Sequence, residues 1–319
     1  MKNMKTAAGM LCLAGILSLG MGTTVFAEDG DSHYPVTITT YNYENEPVEM
    51  TFEKAPEKVF AYANSNIEEL LALGLGDKIV AACGLDGDVR EDLKDEFDKI
   101  QYMDTKPSKE EVVAMEPDFI AAWYSSFSDD WLSDVSFWQE RDVNTYMSLN
   151  SSAKGPASEF PRTIEDEYED ILNLGKIFDC EDKAEEIVDQ MKGEIDKVKE
   201  HVEGTDPLSV AVLEDEGDSF RVYGTETLGG NIPETLGAEL KLGAENSENV
   251  GAEDLIAADP DVLFMINYDG FMTADEAIAD ITDNPAYASL SAVKNNKVFS
   301  VNLNEVYCSG VRTYDGIMT

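Results

Sequence analysis

The chain has 319 residues, 43% hydrophobic and 28% charged, which is enough apolar material for two moderate cores and too much for disorder. Its 65 acidic residues against 23 basic ones give a formal charge of −42, which excludes nucleic acid and anionic membrane surfaces as partners by simple repulsion. The acidity is spread along the chain and shows no DxDxDG calcium loop, so it reads as a solvated coat.

Residues 1–27 have the form of an export signal. Lys2 and Lys5 supply a basic start, residues 7–26 an apolar stretch, and Val25-Phe26-Ala27 the small residues of a cleavage site after Ala27. Leu11 stands where lipid attachment at Cys12 would need a small residue, so lipidation is the weaker alternative. No later segment approaches the roughly 20 continuous apolar residues of a spanning helix. The expected location is outside the cytoplasm, in the periplasm or at the cell surface. Beyond the signal, Cys83, Cys180 and Cys308 are odd in number and widely spaced, which fits buried free thiols better than a disulfide framework or a thiolate metal site.

Residues 34–43 alternate toward β, and residues 58–62 read as a strand. Asn64-Ser65-Asn66 then offers caps for a helix over 67–73, which Gly74 and Gly76 close before a second strand at 79–83. Next comes the segment EEVVAMEPDFIAAW at 110–123, which recurs as EDLIAADPDVLFMI at 253–266. In each copy a short helix with one apolar face is stopped by a proline, an aspartate (Asp118 or Asp261) completes a polar turn, and a β-rich run reads as a strand buried on both faces. A helix through Trp131 to Arg141 and a strand at 144–149 complete a first parallel α/β lobe, with Trp131 and Trp138 assigned to its core.

Residues 164–202 change character, with apolar positions at helical spacing and almost no turn residues, as expected of long helices joining two lobes. Residues 208–213 open a second parallel lobe. It contains Gly229-Gly230-Asn231 leading into a helix at 232–236, the second repeat copy, and a closing strand at 298–301. The domain expectation is residues 28–160 for the N-terminal lobe, 161–205 for a helical spine and 206–319 for the C-terminal lobe. The fold class is α/β, two Rossmann-like parallel-sheet lobes with a cleft between them.

Taken in order, EKVFAYANSNIEELLALGLGDKIVAACG, PDFIAAW, NLGKIF, AEEIVDQM, GGNIPETLGAEL, PDVLFMI and NPAYASLSAVKNNKVFSVNLNEVYCSGVRTYDGI resemble the extracytoplasmic solute-binding proteins of iron–siderophore, haem and cobalamin ABC importers. The resemblance runs from about Val48 to the end. It implies a rigid helix between the lobes, a shallow cleft with modest closure, and delivery to a membrane permease and its ATPase by a monomer. It also implies an acidic residue at each rim for the permease's arginines, at Asp129-Asp130 and at Glu234. The expected ligand is a ferric siderophore, with haem or cobalamin as alternatives and no intrinsic cofactor. The family normally continues the helix that begins near Arg312, so a shortened terminal helix is expected to reduce stability.

In open α/β sheets ligands sit outside the carboxyl ends of the strands. That rule selects Tyr62 and Asn64, Trp123 and Tyr124, Asn267 and Tyr268, and Tyr307 with Arg312 as ligand-binding candidates. Rings stack on a flat or catecholate-bearing chelate and guanidinium groups pair with its oxygens, so Arg312 is the first choice for the cleft's positive charge, its alternative being a structural ion pair. Only His33 and His201 exist, so a multi-histidine metal cage cannot be built, although axial ligation of haem by a tyrosine or His33 stays open. A metal-dependent α/β enzyme or chelatase is the competing class. The chain has no GxSxG, Walker A or GxGxxG motif to support it, and no catalytic residue is assigned.

Overall fold

The computed structural model describes residues 33–243, 249–268 and 270–319. The export signal, its cleavage site and Cys12 lie outside the described residues.

Strand β1 (Val36–Tyr41) pairs antiparallel with β2 (Pro47–Phe52), where the sequence predicts β structure. Five parallel strands follow: β3 (Val59–Tyr62), β4 (Ile79–Cys83), β5 (Tyr102–Met103), β6 (Phe119–Ala122) and β7 (Asn144–Met147), in the order β5-β4-β3-β6-β7. Every residue of β6 is fully buried, as its uninterrupted apolar run requires of a strand covered on both faces. The hairpin shields the β7 edge, where the Thr40 hydroxyl accepts from the Met147 N–H and the Asn144 amide donates to the Thr51 carbonyl.

The second sheet contains β8 (Ser209–Asp215), β9 (Phe220–Val222), β10 (Glu239–Leu240), β11 (Val262–Asn267) and β12 (Val298–Asn302). Its parallel path is β10-β8-β11-β12, and β9 folds back antiparallel on β8. Between the sheets run two helices, Ile164–Ile177 and Glu181–Val202, broken at Asp179, whose φ is 55°. They pack closely because Gly175 has no side chain, since a Cβ there would lie 2.5 Å from that of Ala184. Among the described residues no helix is long and apolar enough to cross a membrane.

The repeated segment has one structural role in both lobes. Helices Lys109–Ala114 and Ala252–Ala258 end before the prolines, and the aspartates clasp the start of a neighbouring strand. Asp118 accepts from the Glu57 and Lys58 N–H groups ahead of β3, and Asp261 accepts from the N–H and hydroxyl of Ser209 at the start of β8.

Three local expectations change. Asn64-Ser65-Asn66 lie inside helix Asn64–Ala72 and do not cap it, because Ala63 makes the turn with φ 75°. Gly229 and Gly230 likewise lie inside helix Leu228–Thr235, capped by the Thr227 hydroxyl. The helix expected from Trp131 to Arg141 shrinks to Val135–Gln139, started by Asp134, while Trp131 and Trp138 are buried as expected with their indole N–H groups donating to carbonyls of Pro107 and Leu132. Cys83, Cys180 and Cys308 are free thiols, the first and last buried and Cys180 half-buried.

Candidate ligand cleft

Both sheets start in the middle and grow outward in two directions, so each has a switch point where neighbouring loops diverge and leave a crevice. In the first sheet the switch lies between β3 and β6, and Tyr62 and Trp123 occupy the carboxyl ends of those two strands. Their ring centroids are 6.3 Å apart in an edge-to-face contact, and the Trp123 indole N–H donates to the Ser65 hydroxyl at 2.9 Å. Tyr62 also packs edge-on against Trp131 at 4.7 Å. The ammonium of Lys106 lies 3.6 Å from the Trp131 ring centroid and 5.3 Å from that of Tyr62, and burial pulls its pKa down. Gly84, at φ +84°, is needed after β4, because a Cβ there would lie 2.2 Å from the Tyr62 ring.

The second lobe contributes Tyr307, 38% exposed, whose ring meets that of Trp123 edge-on at 6.0 Å. Burial pushes its phenol pKa up, while the nearby guanidinium groups of Arg221 and Arg162 pull it back down. Arg221 stands on β9 opposite Glu214, half exposed, with its guanidinium carbon 5.3 Å from the Tyr223 ring centroid. Arg162 precedes the spine and is oriented by the Phe160 carbonyl (2.6 Å), the Gly155 carbonyl (2.7 Å) and the Ser152 hydroxyl (3.0 Å). Burial lowers its pKa. The result is a patch of three rings and three cationic side chains drawn from both lobes and the segment between them, on a protein that is otherwise strongly acidic. Such a patch can stack a flat face and pair with carboxylate, catecholate or phosphate oxygens.

The structure thus brings together Tyr62, Trp123 and Tyr307. Tyr124 extends the surface outward, stacked on Tyr43 at 4.8 Å and donating its hydroxyl to the Tyr43 carbonyl. Asn267 and Tyr268 sit at the β11 end on the second lobe, with Tyr268 stacked on Phe271 and within the electrostatic reach of Glu214 and Arg221. Asn64 is buried, and its side-chain carbonyl accepts from the Asp86 N–H at 2.7 Å, so it shapes the loop after β4.

Arg312 has the alternative role. Its guanidinium makes a bidentate pair with the fully buried Glu68 carboxylate at 2.6 and 2.7 Å and donates to the Asp88 carbonyl, fastening the second lobe to helix Asn64–Ala72. Its reach is taken up by a buried carboxylate whose other donor is the neutral Arg90 N–H at 2.8 Å, and the cationic side chains near the three rings are Lys106, Arg162 and Arg221. Those three were missed. Lys106 follows β5, a strand of two residues too short to register in the sequence, and Arg221 lies on an antiparallel strand that a purely parallel lobe does not anticipate. The alternation Phe220 buried, Arg221 exposed, Val222 buried was the available signal for the latter.

Asp129 and Asp130 are exposed, in a turn several residues ahead of helix Val135–Gln139 rather than at its start, and Glu234 is exposed in the last turn of helix Leu228–Thr235. His33 lies at the break between the spine helices, with Nδ1 3.4 Å from Asp179 and 3.2 Å from Glu181, and His201 is exposed near the end of the second spine helix.

Known proteins share this architecture. The sequence profile of the family described as periplasmic binding protein matches residues 59–302. An uncharacterized ABC transporter substrate-binding lipoprotein of Bacillus subtilis (strain 168), YvrC, is 24% identical over 98% of this chain and 96% of its own length. The petrobactin-binding protein YclQ of the same organism is 24% identical over 81% of this chain and 78% of its own. The crystal structure of a periplasmic binding protein from Veillonella parvula DSM 2008 superposes with a TM-score of 0.83 at 33% identity, covering 90% of each chain. With its two switch-point sheets, its paired spine helices and a profile match across both lobes, the chain belongs to the periplasmic binding protein family, and it is a binding protein rather than an enzyme.

Proposed function

We propose that the protein captures a chelated iron compound, a ferric siderophore, in the cleft between its lobes and delivers it to an ABC-type permease and, through it, the ATPase. The observation that carries this reading is the patch formed by Tyr62, Trp123 and Tyr307 with Lys106, Arg162 and Arg221 at the carboxyl ends of both sheets. A ferric catecholate or carboxylate chelate has flat faces and net negative charge, and needs a site that supplies rings and cations without stripping the metal. Among the described residues this cleft offers no histidine as a direct ligand. The petrobactin-binding relative and the ABC-transporter lipoprotein support the same reading.

The exposed Asp129, Asp130 and Glu234 are the proposed contacts with the permease, one set per lobe. The working form is a monomer, exported with cleavage after Ala27.

Intrinsic tryptophan fluorescence tests the ligand class directly, because Trp123 lies in the patch and Trp131 beneath Lys106. Titration of the mature protein with ferric siderophores should quench saturably at submicromolar concentration. Quenching by haemin or cyanocobalamin alone would move the ligand to those chelates. A response only to a free metal or a sugar would reject the reading.

A further inference from the structure

Below the cleft, three carboxyl groups from distant parts of the chain converge. Glu69 comes from helix Asn64–Ala72, and Glu167 and Asp170 from helix Ile164–Ile177; all three are buried, with one oxygen of each within 4.8 Å of the others. Two of the three are well supplied with donors. Glu167 accepts from the Asn150 amide at 2.7 Å and from the backbone N–H groups of Ser309 (3.1 Å) and Gly310 (2.5 Å). Asp170 accepts from the Tyr146 hydroxyl at 2.7 Å and the Leu149 N–H at 3.0 Å. These donors favour the carboxylate forms, but burial outweighs them and pushes both pKa values up, that of Glu167 to about 7.

Glu69 has no such supply. The residue is 1% exposed, both of its carboxyl oxygens are sealed from solvent, and neither has a hydrogen-bond partner, although one of them lies within 4.8 Å of an oxygen of each of the other two. Two basic groups of the joint are committed elsewhere, Arg312 to Glu68 and Lys154 to Asp166. A buried carboxyl with no donor, placed against two acceptors, has its pKa pushed well up by burial and by the charges of Asp170 and Glu167, a cost that a cation in the proton's place would offset.

We propose that a hard divalent cation of the calcium type binds among Glu69, Glu167 and Asp170. Calcium takes oxygens at about 2.3–2.6 Å, so ligand oxygens on opposite sides of one ion stand just under about 5 Å apart. Glu69 offers two oxygens without a partner, and Glu167 Oε2 and Asp170 Oδ2 each accept a single hydrogen bond and can add one more. The neighbouring Cys308 thiol is soft, but its Sγ lies outside the cluster of ligand atoms, which is all oxygen and so suits a hard cation rather than zinc or copper. The position is mechanical as well as electrostatic. Glu69 belongs to the first lobe and the other two ligands to the spine, while the second lobe rests its Ser309 and Gly310 N–H groups on Glu167. Gly310, at φ +54°, brings its backbone so close to Glu69 that a Cβ would lie 2.7 Å from a carboxyl oxygen. A cation here fastens the three parts without occupying the cleft.

The test uses the mature full chain, stripped with EDTA and titrated with calcium, and reads bound calcium by equilibrium dialysis and stability by thermal melting. One tight equivalent is expected above the weak binding of the acidic surface, and at a hundredfold excess over Kd the melting temperature should rise by about 5 °C. The near-isosteric Glu69→Gln should lose that equivalent and most of the shift while keeping the weak surface response. If the wild-type protein binds no tight equivalent and its melting point does not respond to calcium, the proposal fails whatever the variant does. Equal calcium binding by wild type and Glu69→Gln would place the ion elsewhere and overturn it as well.

Discussion

Trp123 of the first lobe and Tyr307 of the second meet edge to face with ring centroids 6.0 Å apart, one aromatic contact between the two lobes. Because each ring comes from a different lobe, a ligand stacked on one touches the other. Trp123→Ala should therefore weaken binding of a ferric siderophore by about 10- to 100-fold with little loss of stability. Isothermal titration checks it without relying on the removed fluorophore, and an unchanged affinity would take Trp123 out of the site.

Arg221 is half exposed and lies within electrostatic reach of Tyr307 and Tyr268, with a long contact of 3.7 Å to Glu214 and its guanidinium carbon 5.3 Å from the Tyr223 ring centroid. Its charge remains available to a ligand. Arg221→Ala is expected to cost about tenfold in affinity for an anionic chelate, and the cost should shrink as salt rises from low to physiological strength. A variant that binds equally well at low salt would remove Arg221 from the cleft.

The Arg312–Glu68 pair makes a contrasting prediction. Deleting the arginine leaves a fully buried carboxylate without its partner, so Arg312→Met should destabilise the protein by about 3–5 kcal/mol. Adding Glu68→Gln should restore most of that loss, because the uncompensated charge is gone. Denaturant melts of both variants check the pairing. Siderophore affinity, measured on the restored double variant, should stay within a few fold of wild type.

Reversing charge at the rims, with Asp129→Lys, Asp130→Lys and Glu234→Lys together, should abolish transport in cells that depend on the protein while leaving ligand affinity intact. All three side chains are exposed, so the fold should tolerate the change. Normal uptake by the triple variant would remove these residues from the permease contact.

Asp261 supplies a pH dependence. Hydrogen bonds from the Ser209 hydroxyl and N–H hold its pKa below the ordinary value of 3.8. A carboxylate depressed in the folded state contributes stability above its unfolded pKa and loses that contribution as pH falls through the folded one. Asp261→Ala should thus be less stable than wild type at pH 7, by no more than a few tenths of a kcal/mol because solvent screens the group, and the gap should close as pH drops below about 4. Melting curves from pH 7 to pH 3 measure the gap.

Four of the five strands of the first sheet, all but β5, and the long spine helices were legible because each carries a clean signal, continuous burial in one case and helical spacing in the other. The clustering of Tyr62, Trp123 and Tyr307, the proposed ligand site, was legible, since the carboxyl-end rule depends only on finding the strands. It failed where tertiary partners decide. Nothing local distinguishes Arg312, bound to a carboxylate 244 residues away, from an arginine facing solvent. Helix Ala274–Thr282 went unread although Thr273 and Glu276 form a capping box at its start. The buried trio of Glu69, Glu167 and Asp170 could not be seen at all, because in a chain this acidic each residue looks like part of the surface.

The aspartate clasps that open each sheet bear on how the molecule assembles. Asp118 reaches a partner 60 residues away and Asp261 one 52 residues away, both within their own lobe. Glu68 and Arg312, by contrast, close a loop of 244 residues. Loop-closure entropy rises with length and must be met before the contact rewards it, so each sheet can condense on its own segment while the joint waits for both. Folding should therefore show two early events and one late one, and a defect at the joint should accumulate two formed lobes rather than an unfolded chain.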